Sequence, residues 1–159
     1  MRSTPTGSVF FDAYVDNVYA VPVDGKPKVA VLVKNADCAV ASPDGTRLAL
    51  ERCSKDKNEA VIDFDLFVAD VDGSHEHAVV SGPTSDTNPR WSPAGRRVAF
   101  DRYVSGVRDV IGIANAAGSG AHILPTGEVA TFQWAPDGKR MSYEHEIGVH
   151  EPWANPRER

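Results

Sequence analysis

The chain has 159 residues, 42% hydrophobic and 25% charged, a mixture that suits one folded domain with a moderate core and excludes a disordered chain. Its formal charge of −5 lacks the basic footprint that nucleic-acid backbones and anionic membrane surfaces attract, so neither is an expected partner. No apolar run approaches the roughly 20 residues of a bilayer span, so no membrane insertion is expected; Cys38 and Cys53 are too few for a disulfide framework, lack zinc spacing, and are expected to be reduced.

In chain order, the first strand signal is Val9-Phe10-Phe11, behind Pro5-Thr6-Gly7. Asp12 interrupts this apolar start, so no signal peptide is visible; as written the chain reads as cytoplasmic, or as periplasmic or secreted if an export signal precedes it. Val18-Tyr19-Ala20-Val21 runs into Asp24-Gly25, and Lys28 to Val33 follows as another short strand. Then comes the turn Ala41-Ser42-Pro43-Asp44-Gly45, opening onto Arg47-Leu48-Ala49-Leu50-Glu51. Proline presets φ at the first central position and glycine tolerates positive φ, so a tight hairpin is expected there.

The same unit returns twice. Trp91-Ser92-Pro93-Ala94-Gly95 precedes Arg97-Val98-Ala99-Phe100-Asp101, and Trp134-Ala135-Pro136-Asp137-Gly138 precedes Arg140-Met141-Ser142-Tyr143-Glu144. The turn prolines lie 50 and 43 residues apart, a period that signals propeller or solenoid repeats. Each following strand reads basic, large, small, large, acidic, which puts bulky residues on one face and Ala49, Ala99 and Ser142 on the other. Sheets covered on both faces by radial neighbours need that pattern. A further strand type, Val18 to Val21, Leu66 to Ala69 and Ile111 to Ala114, recurs at intervals of 48 and 45 residues, and His77 to Val80 and His122 to Leu124 supply outer strands.

With strands labelled A to D from the axis outward, the order is B-C-D, A-B-C-D twice, then A-B. The fold class is all-β, a partial β-propeller of about three four-stranded antiparallel blades. It spans residues 1–150, with blade segments at about 8–33, 36–80, 86–124 and 128–146, followed by a charged tail at 151–159. Such an arc is too short to close, so it is expected either to belong to a longer propeller or to self-associate into a ring.

These turns and strands resemble the TolB-like, or WD-like, propeller repeats, whose blades carry a Trp-Ser-Pro-Asp-Gly-Lys turn and a strand ending in Asp-Gly. Pro89 to Phe100 and Leu66 to Gly73 carry the resemblance, which covers nearly the whole chain. Pro43, Gly45, Trp91, Pro93, Gly95, Trp134, Pro136 and Gly138 are its repeat-defining positions, while Ala41, Ala94 and Ala135 depart from the pattern. The resemblance implies a non-enzymatic protein-interaction or ligand-binding module with a protein or peptide partner. Its alternative is a propeller segment of a peptidase or carbohydrate-active enzyme whose catalytic groups lie outside this chain.

No residue set reads as catalytic, and no metal site or cofactor is expected. His75-Glu76-His77 reads as an exposed outer-strand turn. Asp70-Val71-Asp72-Gly73-Ser74 lacks the distal acidic ligand of a calcium loop. Gly118-Ser119-Gly120 reads as a flexible connection. Propellers commonly bind ligands around their axis, where the most polar connection carries Asp86, Asn88 and Arg90, the candidate binding residues. On a structural reading, Asp86, Thr87 and Asn88 satisfy backbone groups in a turn. Trp91 and Trp134 read as packing anchors between blades.

Overall fold

A computed structural model describes residues 8–13, 17–22, 30–55, 57–58, 61–104 and 107–145. They form four antiparallel sheets in sequence order. The first has β1 (Ser8–Ala13), β2 (Asn17–Pro22) and β3 (Ala30–Lys34). The second has β4 (Cys38–Ala41), β5 (Arg47–Lys55), β6 (Val61–Asp70) and β7 (His77–Val80). The third has β8 (Asp86–Trp91), β9 (Arg97–Val104), β10 (Val107–Asn115) and β11 (Ser119–Ile123). The fourth is the hairpin of β12 (Thr131–Trp134) and β13 (Met141–Glu144). The architecture is an all-β partial propeller of the strand order read from the repeats. Pro5-Thr6-Gly7 and the tail from 151 lie outside the described residues.

The turns explain why the repeats fold alike. Gly45, Gly95 and Gly138 take φ of 69°, 66° and 64°, and each donates its N–H to the carbonyl three residues back, Ser42, Ser92 or Ala135, at 2.8 to 2.9 Å. In the first two copies the serine hydroxyl also accepts the N–H of Arg47 or Arg97, at 3.0 and 3.1 Å. Ala135 cannot do so, and in the fourth sheet's turn the side-chain bond comes instead from Asp137, which accepts the Lys139 N–H at 2.9 Å.

The alternation of bulky and small residues becomes stacking. Leu48 and Leu50 face the first sheet, in a cluster with Val18 and Val33. Ala49 faces the third sheet, where it joins Leu66, Val68, Trp91, Val98 and Phe100. Ala99 in turn faces the fourth, packing with Ile111, Ile113 and Phe132. Three buried clusters therefore lie between sheets, one at each boundary.

Two close approaches, one between sheets and one within a sheet, are set by glycine. A Cβ on Gly118 would sit 2.5 Å from the Ala78 carbonyl oxygen, so the β10–β11 turn approaches strand β7 closer than any side chain permits. Gly118-Ser119-Gly120 is thus not a flexible connection: β11 begins at Ser119, three residues before the expected His122, and Gly118 donates its N–H to Asn115 at 2.9 Å. On Gly112 a Cβ would lie 2.2 Å from the Phe100 ring, its cross-strand partner. The second sheet solves the same position with Phe67 opposite Leu50.

Candidate functional site

The structure does not gather Asp86, Asn88 and Arg90 into one pocket. Asp86 is fully buried, and its carboxylate accepts two hydrogen bonds from Arg102, both 2.7 Å, in the bidentate geometry that suits guanidinium and carboxylate. Burial pushes the Asp86 carboxyl above its ordinary value, and the Arg102 hydrogen bonds oppose that shift. Asn88 is exposed, at φ 54°. Its backbone N–H reaches Glu51 of the preceding sheet at 2.6 Å, and its side-chain amide donates to Asp101 at 2.7 Å. Arg90 crosses to the next sheet, donating to the Phe132 carbonyl and lying 4.7 Å over the Phe132 ring. With Thr131, Gln133, Tyr143 and Glu144 it lines a shallow cavity of about 230 Å³.

Both tryptophans lie at sheet boundaries, each in the same arrangement. Trp91 donates its indole N–H to the Val40 carbonyl at 2.8 Å, and Trp134 donates to the Arg90 carbonyl, one repeat later, at 3.1 Å. Arg47 lies 4.9 Å from the Trp91 ring centroid and donates to the Gly95 carbonyl at 2.6 Å. Arg97 repeats this with Trp134 at 5.0 Å and Gly138 at 2.7 Å. Each clasp links an arginine of one sheet to the indole and turn glycine of the next. The repeat reading marked the tryptophans and glycines as repeat-defining and saw a basic residue two positions after each turn glycine, but gave those arginines no role.

Beside the second clasp lies a cleft of about 400 Å³, lined by Ser92, Arg96, Arg97, Asn115, Asp137 and Lys139 among others. Among the described residues neither Arg96 nor Lys139 has a carboxylate partner, whereas Asp137 is engaged by the Lys139 N–H at 2.9 Å and by Arg140 at 3.2 Å. A chain that is acidic overall therefore carries a local excess of cation in a concave surface between two blades. Among the described residues no group of three or more His, Cys, Asp or Glu is placed to hold a metal ion.

No family model and no curated protein matches the chain. Solved structures do. A putative TolB from Agrobacterium tumefaciens aligns with 86% of this chain and 48% of its own, at TM-score 0.67 and 19% identity. TolB from Acinetobacter baumannii aligns with 87% of this chain and 35% of its own, at TM-score 0.68 and 14% identity. The fold is that of a TolB-like β-propeller. An oligogalacturonate lyase in complex with manganese shares it over 79% of this chain and 34% of its own, at TM-score 0.58 and 17% identity. The TolB-like arc described here spans less than half the length of each of these structures.

Proposed function

We propose that this TolB-like arc is a non-enzymatic module that binds a protein or peptide, and that the cleft beside the second clasp takes an acidic segment of that partner. The observation that carries the reading is the pair Arg96 and Lys139, two cations without carboxylate partners among the described residues, lining one concavity with the amide of Asn115. Charged and polar groups of this kind select partners by complementarity and speed their encounter. The candidate residues Asp86 and Arg90 support the site indirectly, by holding the third sheet together and tying it to the fourth.

Binding of the purified chain to acidic, neutral and basic peptides, measured at two salt concentrations, tests this. Acidic peptides are expected to bind best, more weakly at higher salt, and to lose affinity when Arg96 and Lys139 are both replaced by Gln. Equal binding of all three peptide classes contradicts the reading. A second reading, a propeller segment of a carbohydrate-active enzyme or peptidase, draws support from the likeness to the lyase. In that case the catalytic groups lie outside this chain, and turnover of an oligosaccharide or peptide panel by the chain alone is not expected.

A further inference from the structure

The repeated turns do not hold their acids alike. In the β4–β5 turn, Asp44 Oδ1 accepts three hydrogen bonds: from the Ser42 hydroxyl at 2.6 Å, the Thr46 hydroxyl at 2.8 Å and the Thr46 N–H at 3.1 Å. In the β12–β13 turn, Asp137 Oδ1 accepts the Lys139 N–H at 2.9 Å, and Ala135 stands in place of the serine. The β8–β9 turn keeps the serine and lacks the acid. Ser92 and Arg96 occupy the positions of Ser42 and Thr46, and Ala94 occupies that of Asp44. This turn thus has both donors and no carboxylate of its own to receive them.

Neither donor is used elsewhere. Ser92 is 2% exposed, and its hydroxyl oxygen accepts the Arg97 N–H at 3.1 Å, but among the described residues that hydroxyl donates to nothing. The Arg96 N–H likewise has no acceptor among the described residues. A buried hydroxyl that does not donate forgoes a hydrogen bond that Ser42 makes. Ser92, Ala94 and Arg96 all line the cleft, together with Asn115 and Lys139. Charge changes in the same direction. Asp70 pairs with Arg47 in the second sheet and Asn115 pairs with Arg97 in the third, so Ala94 and Asn115 replace two carboxylates while Arg96 replaces the Thr46 hydroxyl. Where the acid is present, the Ser42 hydroxyl and then the Thr46 N–H hold the Asp44 carboxyl down to about 2, because such donors favour its charged form.

Resting on the reading of the cleft as a site for an acidic segment, we infer that one aspartate or glutamate side chain of that segment seats its carboxylate over Ala94, accepting the Ser92 hydroxyl and the Arg96 N–H. The Arg96 guanidinium and the Lys139 ammonium supply the opposite charge. The partner provides the acid that this turn lacks, and the cleft reads one anchoring carboxylate rather than negative charge at large. Hydrogen bonds to an ionised acceptor are stronger than those between neutral groups, so this contact both orients the segment and holds it.

The probe is a peptide of alternating Asp and Gly, acetylated and amidated so that its only carboxylates are side chains, titrated into the isotope-labelled full chain by NMR. Its Asn counterpart is the neutral control. Saturable movement of the Arg96 backbone amide is expected with the Asp peptide and not with the Asn peptide. Ala94→Asp gives the turn its own carboxylate and is expected to weaken binding by about tenfold or more, the worth of hydrogen bonds to a charged group. Ala94→Asn fills the same position without charge and is expected to weaken binding too, which separates occupancy from repulsion. Ser92→Ala, a copy of Ala135 in the fourth sheet's turn, is expected to act in the same direction. Ala94 is exposed, so its variants keep the fold, which circular dichroism checks. Binding that leaves the Arg96 amide unmoved, or that Ala94→Asn does not weaken, overturns the inference. If that binding is still lost when Arg96 and Lys139 are replaced by Gln, the acidic-segment reading stands without it. Equal binding of the Asp and Asn peptides overturns both.

Discussion

Arg47 and Trp91 hold each other across the boundary between two sheets, the guanidinium 4.9 Å from the indole centroid and hydrogen-bonded to Gly95 behind it, while the indole returns a hydrogen bond to Val40. Trp91 is 8% exposed and belongs to the largest buried cluster. Its replacement by alanine is expected to cost about 3–5 kcal/mol, the range for deleting a buried aromatic side chain. Trp134, only half-buried at the thinner fourth sheet, is expected to cost less. Urea unfolding of the two variants gives the comparison, and an equal or reversed order contradicts the packing described.

Gly112 is required by Phe100. Gly112→Ala drives a methyl group into the ring, and the expected loss is about 1–3 kcal/mol from overpacking. Combining it with Phe100→Leu, which copies the Leu50 side of the equivalent pair, is expected to recover part of that loss. Chemical unfolding of both variants and the double variant decides it: strictly additive losses exclude the steric explanation.

The buried pair Asp86 and Arg102 makes stability depend on pH in a direction that follows from burial. Arg102→Met leaves the carboxylate buried without its cation, an arrangement expected to cost about 3–5 kcal/mol at pH 7. Burial raises the Asp86 pKa above its ordinary 3.8, so the native state keeps a proton that the unfolded chain releases. The stability contributed by this group is complete below 3.8 and is lost as pH rises through the raised value. The penalty of Arg102→Met is therefore expected to shrink on acidification. Unfolding at pH 7 and pH 4 measures it, and a penalty that does not change with pH opposes this assignment.

Asp44 has the opposite sign. The Ser42 hydroxyl, at 2.6 Å, and then the Thr46 N–H and hydroxyl hold its carboxyl down to about 2. Its contribution is present above the ordinary value of 3.8 and is lost as pH falls through about 2. Because the group is exposed, solvent screening keeps the effect to about 1 kcal/mol or less. Asp44→Ala is expected to lower stability more at pH 6 than at pH 2, in paired thermal melts.

Much of this architecture was legible in the sequence because its signals are local and repeated. A proline–glycine turn and an alternating strand specify a hairpin from neighbouring residues, and three copies in phase specify stacking. What was hidden depends on partners distant in sequence. The candidate residue Asp86 reads as a polar turn residue until β9 brings Arg102 alongside it. Arg90 reads as a surface cation until Phe132, 42 residues later, receives it. The cleft of Arg96, Asn115 and Lys139 joins two blades, and no single stretch of sequence writes it. The extent of β11 escaped for a different reason: Gly118 and Gly120 have positive φ, a conformation that glycine takes in a tight turn as readily as in a loose connection.

The account rests on successive sheets being held face to face by an arginine of one and a tryptophan of the next. A double-mutant cycle on Arg47→Ala and Trp91→Phe, read by urea unfolding, tests this most directly. Phenylalanine keeps the bulk of the buried ring but gives up the indole hydrogen bond and the better cation-binding face. A coupling of about 0.5 kcal/mol or more is the predicted result. Losses that add to within about 0.3 kcal/mol would show that the two residues do not meet, and would contradict the stacking of these blades.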